Sequence, residues 1–302
     1  METAMTRKNT IREGSRTIDI LFYIVTLLVC IATVYPMYYV FIQSVSNAQD
    51  VMAKSVFLVP SGFQLDNYGL LFRNNEMWMA YLNTIIYVTA TTAAMLLTCT
   101  LGAYPLTVGT LWGRKWVVRY LLVPMYFNGG LIPTFLLMSR IGLYNNRLAI
   151  IIPAMVSIWN IILVRTYFSS LPPALRESAF IDGASNLQVL FRIYFPLSKP
   201  ILAVIAIYTI VGMWNSWFSA MVYLPDSSLH PLQMYLQRVL VQQSVDLSKL
   251  NSTDMEEAMR RMYSSMQLKY SIIVFTTLPI IFTYPFFQKY FIKGVMIGSL
   301  KG

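Results

Sequence analysis

Charged residues punctuate this chain unevenly, and the gaps between them are its dominant pattern. Six long intervals lack Asp, Glu, Lys and Arg altogether: residues 20–49, 77–113, 120–139, 148–164, 200–225 and 270–288. A helix needs roughly 20 mostly apolar residues to cross the hydrocarbon core of a bilayer, so each interval holds one crossing. The pattern predicts an all-α polytopic membrane protein, a single transmembrane domain over residues 1–302 with six spans at about 18–43, 77–103, 118–139, 148–168, 200–222 and 270–288. Gly102, Pro105 and Gly109 mark the end of span two, and span five begins after Pro200. Span six contains Pro279 and Pro285, which membrane helices tolerate when neighbours satisfy the freed carbonyls.

Between the spans, Ser46 to Glu76 predict a loop punctuated by Pro60, Ser61 and Gly62, and Gly142 to Asn146 a short turn. The polar segment 223–269 predicts two helices, over 231–243 and 253–267, the second capped at Ser252 or Thr253 with acids in its first turn. The first apolar run is read as a retained helix: it is long for a signal peptide, contains Pro36, Tyr38 and Tyr39, and lacks a small-residue cleavage pattern.

Composition supports the membrane reading. Of 302 residues, 56% are hydrophobic and 12% charged, against roughly 25% charged in soluble domains. The net charge of +10 raises nucleic acid as a partner, but its distribution answers to topology instead. With the N-terminus inside, the inward segments hold fourteen basic and five acidic residues, net +9, and the outward segments nine against eight, net +1. Lys and Arg resist translocation, so the basic side, with both termini, faces the cytoplasm. Cys30 and Cys99 lie in separate apolar runs and imply neither a disulfide nor a metal site. His230, the one histidine, stands beside Pro231 in a polar segment and reads as a surface residue.

The chemistry concentrates in the cytoplasmic segment 169–199. Pro172 and Pro173 suit a first helical turn, and Gly183 the left-handed residue that closes a helix. Ser185 with Gln188 is a capping-box pattern for a second helix, which Pro196 is expected to end. The spacing of Glu177-Ser178-Ala179, Gly183, Ile193 and Pro196 closely resembles the "EAA" signature of permeases in bacterial ATP-binding-cassette importers. Ser178 replaces the usual Ala, and Phe195 the usual Leu. Asp182-Gly183-Ala184, Trp214-Asn215 and the closing Gly-Ser-Leu-Lys-Gly are similar to carbohydrate-uptake permeases related to the second subunit of the maltose importer. Asn128 to Pro133 and the run from Gln288 to Gly298 resemble a branch that imports oligosaccharides derived from complex polysaccharides.

The resemblance implies a heterodimer with a second, similar permease, two ATPase subunits and an extracytoplasmic solute-binding protein. It also implies coupling to the ATPase through Glu177, Ser178, Ala179, Asp182, Gly183, Ala184, Ile193 and Pro196. The chain has no Gly-x-x-x-x-Gly-Lys-Ser/Thr pattern, so ATP and Mg are expected on the partner ATPase and no cofactor here. A secondary, ion-coupled carrier is the alternative; it generally needs ionisable groups within its spans, and the six runs hold none. An intramembrane enzyme would need a nucleophile with a base or metal, and no acid or histidine lies in the runs. Sugars are bound by aromatic faces and by amides, which makes Trp159, Asn160, Tyr208, Trp214, Asn215 and Trp217 candidates for the substrate pathway. Interface anchoring of the aromatics and interhelical bonding of the amides compete with that role.

Overall fold

A computed structural model describes residues 16–109, 111–246, 266–283 and 285–286. Every regular element among them is helical. The helices are α1 (Arg16–Ser44), α2 (Ala48–Met52), α3 (Asp66–Phe72), α4 (Asn75–Thr107), α5 (Arg114–Tyr126), α6 (Leu131–Arg140), α7 (Leu148–Ala154), α8 (Ile158–Ser169) and α9 (Ala174–Ile181). There follow α10 (Asn186–Val189), a π-helical turn (Leu190–Tyr194), α11 (Phe195–Leu197), α12 (Lys199–Trp214), α13 (Phe218–Tyr223), α14 (Leu232–Asp246) and α15 (Met266–Thr283). The predicted helix over 253–267 falls almost wholly outside the described residues, as do the basic residues before Arg16 and the closing stretch from 288.

Among the described residues three helices, α1, α4 and α15, are individually long and apolar enough to cross a membrane, and the number rises to as many as six if each of three bent pairs is one span. The expectation of one helix per charge-free interval needs correcting at those pairs. The run 118–139 is broken into α5 and α6, which meet at 111°. Asn128, Gly129 and Gly130 unwind the chain there: Asn128 Oδ1 accepts from the Gly130 N–H at 2.9 Å, and Gly130 adopts φ +86°. In the run 148–168, α7 and α8 meet at 42° just after Pro153, where Ser157 caps the new helix by accepting from the Asn160 N–H. The run 200–222 is helical only to Trp214 before a break and the short α13. A charge-free interval reports what surrounds a segment, and says nothing of backbone breaks within it.

α4 is the axis of the fold, capped by Asn74, whose side chain accepts from the Glu76 and Met77 N–H groups. It packs most extensively against α8 and α12. One apolar cluster, around Cys99, Tyr104, Phe168 and Tyr194, joins its C-terminal half to the segment 169–199. A second, around Met77, Trp214, Leu232 and Ile272, joins its N-terminal half to α12, α14 and α15. α1 stands apart along its apolar length and leaves Cys30 exposed. It docks towards its C-terminal end: Tyr35 OH donates to Phe57 O at 3.3 Å, Tyr38 OH to Leu58 O at 2.6 Å and Gln43 Nε2 to Val56 O at 2.8 Å, Ser44 Oγ bonds Tyr68 OH at 2.7 Å, and just past the helix Gln267 donates to Ser46 O.

Candidate functional site

The segment 169–199 folds as two short helices at a sharp corner. Helix α9 follows Pro172-Pro173 and is closed by Gly183 at φ +78°. The Gly183 N–H donates to Phe180 O at 3.1 Å and the Ala184 N–H to Ala179 O at 2.9 Å, a Schellman closure. Ser185 then forms the full capping box with Gln188, the Ser185 N–H donating to Gln188 Oε1 at 2.7 Å. Pro196 does not end this second helix, contrary to expectation. The π-helical turn Leu190–Tyr194 precedes it, and α11 carries the chain through Pro196 to Leu197. Widening the turn lets the helix pass a residue that has no N–H to give and whose ring would crowd the carbonyl of Arg192.

One face of this element is anchored and the other free. Ala179, Val189, Leu190 and Tyr194 are buried, with Ala184 and Ile193 packed against them. The Tyr194 ring meets Tyr104 edge-on at 5.3 Å and Phe168 at 5.2 Å, and Tyr104 OH donates to Asn186 Oδ1 at 3.2 Å. Tyr104, Phe168 and Asn186 belong to the site although nothing in their local sequence marks them. On the other face Glu177, Ser178, Asp182 and Gly183 are exposed, together with Ile181 at 86% and Leu187 at 62%. Arg176 lies over the Phe180 ring at 5.0 Å. A cavity of about 560 Å³ opens beside the element, lined by Arg114, Ser169, Arg176, Glu177, Phe180 and Tyr194 among others.

The six pathway candidates do not converge. Trp159 on α8 and Tyr208 on α12 are exposed, at 57% and 68%. Asn160 is half-buried against α4, its Nδ2 3.6 Å from Met95 Sδ. Asn215 is exposed at the end of α12 and bonds back to Val211 O at 2.9 Å, and Trp217 packs edge-on against Phe218. Trp214 is a correction: it is 6% exposed, its Nε1 donates to Thr276 O at 3.0 Å, and Tyr81 meets its ring edge-on, so it joins α12 to α15 and has no free surface for a sugar. His230 is a second correction. The ring is buried, with Nε2 2.8 Å from Leu224 O, because the chain folds back on itself between α13 and α14.

An all-helical domain of apolar spans with a short helix pair seated on its longest one is the architecture of an importer's permease. The chain belongs to the family of binding-protein-dependent transport system inner membrane components, whose signature matches residues 105–297. It is 36% identical over 271 residues to Protein LplC of Bacillus subtilis, covering 89% of this chain and 90% of that one. It is 32% identical to the polygalacturonan/rhamnogalacturonan transport system permease protein YtcP of the same organism, over 95% of this chain and 99% of that one. Among solved structures, a chain of a bacterial ABC transporter involved in import of the acidic polysaccharide alginate superposes with a TM-score of 0.83 at 34% identity, covering 91% of this chain and 97% of that chain. The protein is therefore a multi-pass inner-membrane permease subunit of an ATP-driven importer, a transport component and not an enzyme, working with a second permease, ATPase subunits and a solute-binding protein.

Proposed function

We propose that this permease carries an acidic oligosaccharide, a uronate-containing fragment of a larger polysaccharide, and that residues 169–199 are the cytoplasmic surface on which an ATPase subunit docks. Two relatives above 30% identity over nearly the whole chain bear names that specify acidic polysaccharides, which supports the substrate class. The docking role rests on one observation: the helix pair is anchored on one face, while the other presents Ile181 and Leu187 beside Glu177 and Asp182. Apolar side chains grouped with acids on a water-facing surface mark a contact that a partner covers. In this arrangement Glu177, Ser178 and Asp182 meet the partner, Ala179, Ala184 and Ile193 hold the element to the core, and Gly183 and Pro196 shape it. Nucleotide and magnesium stay on the ATPase, and both termini lie on the cytoplasmic side.

The test uses the whole complex reconstituted in proteoliposomes. Glu177→Lys is expected to insert normally yet lower ATPase docking affinity about tenfold to a hundredfold, the loss of one charge-assisted contact aggravated by repulsion. Binding protein loaded with oligogalacturonate should stimulate hydrolysis in the wild type, and loaded with a neutral maltooligosaccharide it should not. Unaltered docking and stimulation in Glu177→Lys would remove that residue from the interface, and stimulation by neutral sugar alone would overturn the acidic substrate.

A further inference from the structure

The outer end of α4 is fastened to the loop that leads into α14 by buried side chains. Asn83 Nδ2 donates to Ser228 O at 2.7 Å and to His230 O at 3.2 Å, while its Oδ1 accepts from Arg147 Nη2 at 2.9 Å. One turn along, Tyr87 OH donates to Leu229 O at 2.8 Å, and Thr84 Oγ1 accepts from the Leu232 N–H at 2.7 Å. Asn83 and Thr84 are completely buried and Tyr87 nearly so. Two side chains of one helix therefore satisfy three successive backbone carbonyls of the loop, in surroundings where an unpaired carbonyl is costly. At the top of the same helix Asn74 Nδ2 donates to Tyr235 OH at 2.9 Å, and Glu76 pairs with Arg238, both partners lying on α14.

The inner end of α4 is fastened as firmly to the cytoplasmic side. Besides the Tyr104 contacts to Asn186 and Tyr194, Leu106 O accepts from Arg165 Nε at 3.2 Å, and Cys99, Ala103 and Leu106 share the cluster that seats α9 and the π-helical turn. Between these ends α4 runs unbroken for 33 residues, about 50 Å at 1.5 Å per residue and longer than the bilayer is thick. The connections on either side of that segment in sequence are bent instead: α7 and α8 before it meet at 42°, and its own second arm, residues 186–197, meets α12 at 78°. A bend absorbs displacement, whereas a continuous helix bonded at both ends transmits it.

We infer that α4 is the strut that carries the arrival of the binding protein at the outer segment through to the ATPase side, and that Asn83 is the positioning residue that keys the outer loop to it. The inference rests on the reading of residues 169–199 as the ATPase-docking surface. Arg147 and His230 acquire a role here: the first orients the Asn83 amide, and the second folds the loop so that its carbonyls reach α4.

The decisive experiment compares basal and binding-protein-stimulated ATP hydrolysis of the reconstituted complex. Asn83→Leu, close in volume but unable to bond, is expected to lower stimulated hydrolysis about tenfold, with basal hydrolysis and ATPase co-purification within about twofold of wild type. Tyr87→Phe, which deletes one oxygen from the same lock, should show the same split at roughly twofold to threefold, and it decides the matter if Asn83→Leu does not insert. Equal loss of basal and stimulated hydrolysis would assign these residues to folding alone and overturn the inference. So would full stimulation in both variants. Glu177→Lys measured alongside separates the two readings: if it is normal while Asn83→Leu is selectively deaf to the binding protein, the strut stands and its cytoplasmic exit lies elsewhere.

Discussion

A tryptophan at the end of a span invites a substrate role, and the environment of Trp214 shows why residue type alone does not settle it. Its ring is enclosed by α4 and α15 and its only polar atom is spent on Thr276 O. Trp214→Phe should therefore lower the thermal midpoint of the purified permease by a few degrees, reflecting roughly 1 kcal/mol for the lost bond, while the affinity for transported sugar stays unchanged. A weakened substrate KM with unaltered stability would return Trp214 to the pathway. Residues whose role is local were legible in the sequence: Gly183, Ser185 and Gln188 close and open helices with groups one turn away, and they do so in the structure. Those whose partners are distant were not. Asn83 bonds residues 145 and 147 positions along the chain, and Trp214 bonds one 62 positions away, separations at which no spacing rule operates.

At the scale of elements, apolar runs marked the segments apolar enough to cross a membrane, and local turn chemistry decided how each is built. Asn128-Gly129-Gly130 followed by Pro133 contains the break between α5 and α6, yet the absence of charge around it reads as one span. Gly130 sits at φ +86°, ψ 177°, a region that side chains with a Cβ avoid at a cost of about 1–3 kcal/mol. Gly129 is not among the glycines of positive φ, and an added Cβ there would meet only Pro133 Cβ at 3.9 Å. Gly130→Ala should thus destabilise the permease in a thermal melt whereas Gly129→Ala stays within about 0.5 kcal/mol of wild type. Equal effects of the two would mean that the α5–α6 bend does not depend on that backbone conformation.

For the molecule as a whole, the asymmetry of +9 against +1 predicts that the segment 169–199 faces inward and the α14 side outward. Cysteines introduced at 62 should react with a membrane-impermeant maleimide in intact cells, and those at 114 and 186 only after permeabilisation. Labelling of 186 from outside would invert the topology and with it the direction in which α4 works. The corner at Ser198 has a further mechanical consequence. Its backbone is bonded on both sides, the Ser198 N–H to Tyr194 O at 3.0 Å and the Leu202 N–H to Ser198 O at 3.0 Å, and the residue is completely buried. The two arms, residues 186–197 and 199–214, stand at 78° and measure about 18 and 24 Å at helical rise. With the arms nearly perpendicular at that pivot, an axial push along the short arm projects only about a fifth of its length onto the axis of α12 (cos 78°), so the corner diverts the stroke sideways instead of passing it on along the helix.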